Sequence, residues 1–366
     1  MIKEGKFGVQ ETVCLAAITI STKLFYTSPG FLTRFVGNAG WYMTLISNTT
    51  AIAAFSLIYL LLKRFPGKSI VEIFELVWGR VVGILLTFIY TVALLNAAGV
   101  VVREFSDVAK IFALPASPLS LIMGGLMLVI LVAVFLGLES IARLAKLVGY
   151  IMIFMYGLLI LLAIPYYNLG NLFPFWGYGL GRTIIVGLKR SSAYTEVVIL
   201  AVFASSLQGS NHIKRAGYLS LIIAGLTISS GLLSLSLAFP YSTLQELNSP
   251  MYILTRQIRF SGFFQRLDPI FFLLWTAATF VTTSALFYAA ISTFCKMFRL
   301  QDPRPVIIPL LVILFSFAMV PSGFAGVVEG GVQIAREYSW TIFFGIPIIT
   351  LLVAIIRRRK GEVKSA

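Results

Sequence analysis

The chain has few residues of the kinds that soluble enzymes use for chemistry. Its 366 residues include one histidine, two cysteines and fourteen acids, and charged residues make up only 12% of the total. A soluble domain carries about 25% charged residues, so this composition excludes an ordinary water-soluble protein. Neither a disulfide framework nor a metal-ligand spacing is visible in the sequence. We therefore expect no enzyme activity, no metal site and no other cofactor.

Apolar sequence is what the chain has in abundance. Hydrophobic residues make up 58% of the chain, and the mean hydropathy is +0.93. A membrane helix needs about 20 apolar residues. The runs predict an all-α membrane protein with ten transmembrane helices, at residues 9–35, 41–62, 81–102, 119–138, 147–166, 192–208, 216–239, 269–295, 306–319 and 340–356. The connections are too short for a soluble core, so residues 1–366 are interpreted as one integral membrane domain.

The basic residues indicate how the chain sits in the bilayer. The net charge is +15, and most Lys and Arg residues fall between apolar runs on the side that holds the N-terminus. This pattern is typical of contact with anionic lipid headgroups rather than with nucleic acid. Because cytoplasmic loops carry the excess of Lys and Arg, both termini are predicted to be cytoplasmic, with residues 357–366 as a basic tail.

Ten spans divide into two groups of five, which permits an inverted repeat of about residues 9–166 and 192–356. In such a fold, paired breaks in the first and sixth helices mark a binding site near the midplane. Small, polar or helix-breaking residues interrupt both of these runs. The predicted substrate-binding residues are Thr27, Ser28, Pro29 and Gly30 in the first span and Phe203, Ala204, Ser205 and Ser206 in the sixth. The alternative is a proline kink in one span and small-residue helix packing in the other.

Several polar residues inside the spans are candidates for ion coupling, proton transfer or gating. Lys23 lies deep in an apolar run, where a cation is costly unless it is paired or hydrated; the alternative is that it snorkels to the cytoplasmic interface. Glu196 either complements a helix N-terminus or contacts a proton or the substrate. Thr282, Thr283 and Ser284 either bond to their own backbone or line an ion site. Asn96 is interpreted as an interhelical hydrogen bond or a further substrate contact.

Two connections between spans are themselves patterned as helices. Residues 69–79 (SIVEIFELVWG) predict a short amphipathic helix on the inner surface, with Ser69 as N-cap and Glu72 completing a capping box. Residues 252–264 predict an outer helix lying in the interface. Glu139 and Arg143, four residues apart at an inner helix end, predict an exposed ion pair.

Short motifs along nearly the whole chain resemble the B subunits of spore germination receptors, within the amino acid–polyamine–organocation superfamily. The resemblance rests on the order and spacing of residues 65–69 (FPGKS), 78–80 (WGR) with Gly83, 103–105 (REF), 114–118 (LPASP), 137–143 (GLESIAR), 171–174 (NLFP), 264–268 (FQRLD) with Trp275, and 300–304 (LQDPR).

The resemblance implies a ten-span amino acid permease fold with broken helices 1 and 6, in the inner membrane of a bacterial cell or spore. It implies a small nutrient as ligand, typically an amino acid, and a receptor A subunit and a C lipoprotein as partners. The chain departs from the family at Gln265, where Glu is common, and in the eighth span, where Phe280 is not followed by the usual Lys. Lys23 is not a usual family feature, so one hypothesis is that the positive charge has moved from the eighth to the first helix.

Two functions fit these expectations. The first is a nutrient-binding subunit of a spore germinant receptor, which signals when its ligand rearranges the helices. The second is a stand-alone amino acid permease coupled to protons or to another cation. Because both share one fold, the fold does not choose between them.

Overall fold

The structure is a computed structural model that describes residues 5, 7–258, 267–321, 323, 326, 330 and 332–361, with backbone alone for residues 334 and 335. The described residues form helices joined by short turns and contain no strand. Among these residues, seven helical stretches are long and apolar enough to cross a membrane: Ser28–Arg64, Arg80–Phe112, Leu119–Leu136, Leu138–Tyr166, Ser210–Ala238, Asp268–Met297 and Arg336–Ile356. The predicted all-α class is confirmed.

The first part of the chain folds into seven α-helices. They are α1 Val9–Ser21, α2 Ser28–Val36, α3 Gly40–Arg64, α4 Ile70–Trp78, α5 Arg80–Phe112, α6 Leu119–Leu136 and α7 Leu138–Ala163. A 3-10 turn, Thr22–Phe25, and two further residues separate α1 from α2. We call residues 22–27 the first break.

The second part contains α8 Leu180–Lys189, α9 Ile199–Val202, α10 Ser210–Ala238, α11 Tyr241–Glu246, α12 Pro250–Gln257, α13 Asp268–Met297, α14 Arg304–Met319, α15 Gln333–Ser339 and α16 Ile346–Ile356. A π-helical segment, Trp340–Gly345, joins α15 to α16. A 3-10 segment, Arg190–Val198, joins α8 to α9, and we call it the second break.

The short helix α4 forms as the sequence predicts. The capping box is present, with the Ser69 backbone N–H donating to Glu72 Oε2 at 2.8 Å. Gly79 ends α4 with a φ of 87°, a left-handed conformation that suits glycine and turns the chain sharply into α5. Gly83 then lies so close to α4 that a Cβ there would be 2.7 Å from the Glu75 Cα. These two glycines let α4 pack directly on α5.

α13 lies at the centre of the helix packing. It packs against α5, α1 and α7, while α10 packs against α3 and α1. The outward faces of the long helices are apolar and exposed, as at Leu121, Phe154 and Leu273. Since hydrocarbon is the solvent for such faces, this pattern is typical of helices in a bilayer.

The N-terminal end of α1 contacts two neighbouring helices. The hydroxyl of Thr12 lies 2.8 Å from Nε2 of His212 in α10, and Lys146 of α7 donates to Glu11 at 2.9 Å. The predicted pair of Arg143 and Glu139 also forms at this end, on the exposed side of α7.

Four predicted segments differ from the structure. The predicted third span, 81–102, is too short, because α5 continues ten residues further and holds Arg103 and Asp107 as a buried i,i+4 ion pair at 3.0 Å. The predicted sixth span, 192–208, is wrong: only Ile199–Val202 in it is α-helical, and residues 203–209 form turns. The stretch predicted to be a plain connection, 167–191, contains α8. The predicted outer helix, 252–264, is α12 as far as Gln257, and 259–264 lie outside the described residues.

Candidate functional site

The first break interrupts the helix ahead of the proline. α2 begins at Ser28, so Pro29 occupies the first turn, where its missing N–H needs no partner. Gly30 lies inside α2, and a Cβ there would be 2.6 Å from the backbone oxygen of Leu247. Gly30 therefore serves close packing of α2 against residues 244–247 rather than an unusual backbone conformation. The break itself lies at residues 22–27, just before the predicted position.

The second break has neither proline nor glycine. Its nine residues, RSSAYTEVV, run as a 3-10 helix whose polar groups are bonded in several directions. Ser191 donates to the backbone oxygen of Leu188 at 2.7 Å, and the Tyr194 hydroxyl donates to the backbone oxygen of Thr44 on α3 at 3.2 Å. A 3-10 run of this length is uncommon because its hydrogen-bond geometry is poor, so tertiary contacts must support it.

Lys23 connects the two breaks. Its ammonium donates to the backbone oxygen of Ala193 and forms an ion pair with Glu196, both in the second break. The side chains of Lys23 and Glu196 are each 14% exposed. Lys23 is therefore paired inside the protein and does not snorkel to the interface.

A second carboxylate approaches the first break from α5. The Thr27 hydroxyl donates to Glu104 Oε1, and the Thr27 backbone N–H lies 3.4 Å from the same oxygen. Glu104 is 3% exposed. The Glu104 carboxylate thus accepts hydrogen bonds from both the backbone N–H and the hydroxyl of Thr27, where the helix is interrupted.

A second cation approaches from α15. Arg336 donates to the Ser28 hydroxyl at the start of α2. Two cations, Lys23 and Arg336, and two acids, Glu104 and Glu196, consequently lie on the walls of one cavity of about 50 Å³, which we call the central cavity. Its remaining wall residues are Thr19, Thr22, Tyr26, Ala97, Val100, Val101, Ser192, Thr282, Val332 and Ser339.

Hydroxyl and aromatic groups complete the wall on the α13 side. The hydroxyls of Thr22 and Thr282 lie 2.9 Å apart, and those of Tyr26 and Thr279 lie 2.7 Å apart. The Tyr26 ring packs against Trp275 with centroids 5.2 Å apart. These contacts fix the first break against α13 and leave the charged groups on the cavity's other walls.

The predicted substrate-binding residues are only partly brought together. Thr27 and Ser28 bond to Glu104 and Arg336, and Pro29 lies beside them at the start of α2. Phe203, Ala204, Ser205 and Ser206 lie instead beyond α9, where Lys296 approaches Ser205 at 3.4 Å. Asn96 is half-buried on α5 and is not on the central cavity's wall.

The predicted coupling residues fall into two groups. Lys23, Glu196 and Thr282 line the central cavity. Thr283 and Ser284 are buried in α13, and their hydroxyls have no hydrogen-bond partner among the described residues. In the part of the chain that the structure describes, no group of three or more His, Cys, Asp and Glu side chains comes together as a metal site would require.

Sequence reasoning missed Glu104 and Arg336 as site residues, for one shared reason. Both were placed in connections, because the predicted spans ended at residue 102 and began at residue 340. Both lie within helices, in α5 and α15. A helix can carry a charge into the bilayer when a partner is present, so charges flanking an apolar run are the signal that could have found them.

Comparison with known proteins agrees with this architecture. The family model of spore germination proteins (spore permeases) matches residues 11–324. Spore germination protein KB of Bacillus subtilis is 23% identical over 99% of this chain and 98% of its own length. Spore germination protein YndE of the same organism is 22% identical over 88% of each chain.

Two solved transporter structures have the same fold. The nucleobase-cation-symport-1 transporter Mhp1, closed around bromovinylhydantoin, superposes with a TM-score of 0.69 at 13% identity, over 98% of this chain and 80% of its own. MhsT in complex with L-phenylalanine gives a TM-score of 0.60 at 17% identity, over 95% and 89%. The likeness to these two structures shows the fold. Because the family model matches residues 11–324, this integral membrane chain belongs to the spore germination protein family of permeases.

Proposed function

We propose that the chain is the nutrient-binding membrane subunit of a spore germinant receptor and that it binds an amino acid in the central cavity. The observation that carries this proposal is the balanced set of buried charges at the first break, with Lys23 and Arg336 opposed by Glu104 and Glu196. An amino acid carries one charge of each sign, so the cavity can neutralise both ends of it. A cavity of about 50 Å³ suits a small side chain.

Each end of the ligand has a partner of opposite charge. We assign the carboxylate to Arg336, whose guanidinium reaches Ser28 at the N-terminus of α2. We assign the ammonium to Glu104, which accepts from Thr27. Both contacts would replace hydrogen bonds that Arg336 and Glu104 make to Ser28 and Thr27, which favours exchange of ligand for internal partners.

The signal would arise from the link between the two breaks. Only a ligand that binds one conformation better than another shifts the helix equilibrium. A ligand on Arg336 and Glu104 changes the field around Lys23, whose ammonium holds the second break at Ala193 and Glu196. The rearrangement would pass to a receptor A subunit and a C lipoprotein, the partners that we propose.

We also propose ten spans arranged as two inverted repeats. The first repeat comprises α1 to α7. The second begins with α8, near residue 180 rather than 192, because α8, the second break and α9 together correspond to α1, the first break and α2. Both termini are then cytoplasmic, in the inner membrane of the cell or spore.

A stand-alone permease is the second candidate, and the buried carboxylate of Glu104 favours it. A carboxylate inside a membrane protein can carry a coupling proton. Lys23 would then occupy the place of a coupling cation beside α13. This candidate requires net movement of the amino acid, whereas the receptor requires only binding.

Equilibrium binding of labelled amino acids to the purified chain in nanodiscs tests the proposal. We expect saturable binding of at least one small amino acid, weakened about ten- to hundredfold by Glu104→Gln or Arg336→Gln, since each removes a charged hydrogen bond. The control Glu139→Gln, at the exposed inner end of α7, should change affinity less than about twofold. Absence of saturable binding, or binding by both Gln variants as tight as that of the unsubstituted chain, would contradict the proposal.

Proteoliposome uptake separates the two candidates. A receptor subunit binds the amino acid without accumulating it and co-purifies with a soluble-headed subunit and a lipoprotein. Gradient-driven, saturable accumulation by the chain alone would establish the permease instead.

A further inference from the structure

A second cavity lies on the other side of the two breaks. The central cavity faces α5 and α13, whereas the second faces α3 and α10. The second cavity has an apolar wall formed by Leu32, Met43, Ile228 and Leu232. Lys23 and Arg336 lie on the walls of both cavities and so separate one from the other.

The charged groups of the second cavity are all cations. Lys23, Arg190 and Arg336 line it, and no acid is among its described wall residues. The two cavities together have these three cations and two acids, Glu104 and Glu196, on their described walls, which leaves one positive charge in excess. An uncompensated charge inside a membrane protein is costly.

Arg190 is the cation that has no buried acid beside it among the residues that the structure describes. It donates to Gln333 Oε1 at 2.9 Å, and its guanidinium lies 5.2 and 4.9 Å from the ring centroids of Phe31 and Phe35. Glu337 on α15 also attracts Arg190, but its side chain is exposed and therefore screened by water. The excess charge of the second cavity is thus associated with Arg190.

The geometry of the wall suits an anion. A guanidinium has five N–H donors and no acceptor, and two guanidinium groups border this cavity. The N-terminus of α2, at Ser28 and Pro29, borders it as well and contributes the positive end of a helix dipole. The wall therefore offers several donors and a positive field to an occupant that brings negative charge.

The volume restricts the size of that occupant. The cavity measures about 30 Å³, room for about two water molecules. An amino acid with a side chain would not fit, but chloride or formate would. We propose that the second cavity binds a compact monovalent anion, chloride or a carboxylate of formate size, which neutralises the charge excess around the breaks. This site is distinct from the amino acid site and does not depend on it.

Binding of ³⁶Cl⁻ to the purified chain in nanodiscs, exchanged into gluconate buffer, tests the proposal. We expect saturable chloride binding that is weakened about tenfold or more by Arg190→Gln, which removes a charged donor. The matched control is Arg34→Gln, because Arg34 is an exposed arginine in the last turn of α2 that donates to the Gln245 backbone and does not line the second cavity. It should change chloride affinity less than about twofold.

A second variant tests the cavity rather than the charge. Ile228→Phe adds volume to the apolar wall and should abolish chloride binding while thermal unfolding shows the protein still folded. If unlabelled formate competes with chloride and gluconate does not, the site binds small carboxylates as well as chloride. If neither competes, the site binds chloride alone. Each of these two results supports a compact anion site.

Two outcomes would overturn the inference. One is the absence of saturable binding of either anion, or binding that Arg190→Gln and Ile228→Phe leave unchanged. The other is full competition between chloride and the amino acid, which would show that the ligand of the central cavity supplies the missing negative charge. Amino acid binding measured on the same preparation reports separately on the proposed function.

Discussion

The two breaks interrupt their helices for different reasons. The first directly precedes Pro29 in the first turn of α2, so its cause lies in neighbouring residues. The second contains neither proline nor glycine and is held by groups from elsewhere, including the Lys23 ammonium on Ala193 and the contact between Tyr194 and Thr44. The first break is therefore determined by nearby sequence, whereas the second depends on contacts with other segments. Loss of the Lys23 contacts with Ala193 and Glu196 should affect the second break most.

Loss of the ion pair between the breaks should have the largest effect. Glu196→Gln leaves Lys23 as an unpaired cation inside the protein, which costs about 3–5 kcal/mol of unfolding free energy. The double variant Lys23→Met with Glu196→Gln should recover part of this loss, since it removes the unpaired charge. Unfolding in mixed micelles, followed by circular dichroism, gives the double-mutant cycle.

Additive effects of the two substitutions on the free energy of unfolding would contradict this difference between the two breaks. They would mean that Lys23 and Glu196 stabilise their own segments independently and that the second break does not rely on the first.

Filling the close contact at the first break should have the next largest effect. Gly30→Ala places a methyl group 2.6 Å from the Leu247 oxygen, so α2 or residues 244–247 must move, at a cost of about 1–3 kcal/mol. Gly124→Ala on α6 is the matched control, because nothing lies within 4 Å of a Cβ there. It should leave stability unchanged or raise it by up to about 1 kcal/mol. Equal thermal stability of the two variants would show that Gly30 is not a packing requirement.

The sequence predicted the fold where the pattern was long and apolar. α3, α6, α10 and α13 lie close to the predicted spans, whereas α7 begins at Leu138 rather than at the predicted residue 147; the capping box at Ser69 predicted α4. The pattern failed at the second break, because a 3-10 segment held by distant partners has no local composition that marks it. It also failed at α8, whose nearby basic residues favoured a connection.

Sequence reasoning named some of the residues that line the central cavity and missed others. Lys23 and Glu196 were both candidates, but nothing local indicates that a residue in one break pairs with a residue 173 positions away. Glu104 and Arg336 were hidden because span prediction ends a helix at the first charge, whereas a buried partner lets the helix continue. The neighbours that compensate a charge are a tertiary property, so no single-sequence window contains them.

The contact between the first break and α13 should have a smaller effect. Thr282→Val removes the hydroxyl 2.9 Å from Thr22, but Thr22 keeps its bond to the Ile18 backbone, so no polar group is left unpaired. We expect a loss of about 0.5–1.5 kcal/mol. Thr276→Val, which removes a hydroxyl bonded only to its own helix at Phe272, should be nearly neutral.

Measuring the amino acid affinity of Thr282→Val and Thr276→Val decides between two roles for Thr282. If Thr282→Val loses affinity without losing stability, Thr282 contacts the ligand rather than fixing the first break.

An ion pair outside the breaks should have the smallest effect. Arg143 and Glu139 are four residues apart on α7, and their side chains are 72% and 34% exposed. Water screens such a pair, so Arg143→Gln should change unfolding free energy by at most about 0.5 kcal/mol. The pair has the same chemistry as Lys23 with Glu196 but lacks burial and a link between distant segments. If Arg143→Gln destabilised the protein as much as Glu196→Gln does, charge pairing alone would explain the second break, and its dependence on the first break would have no support.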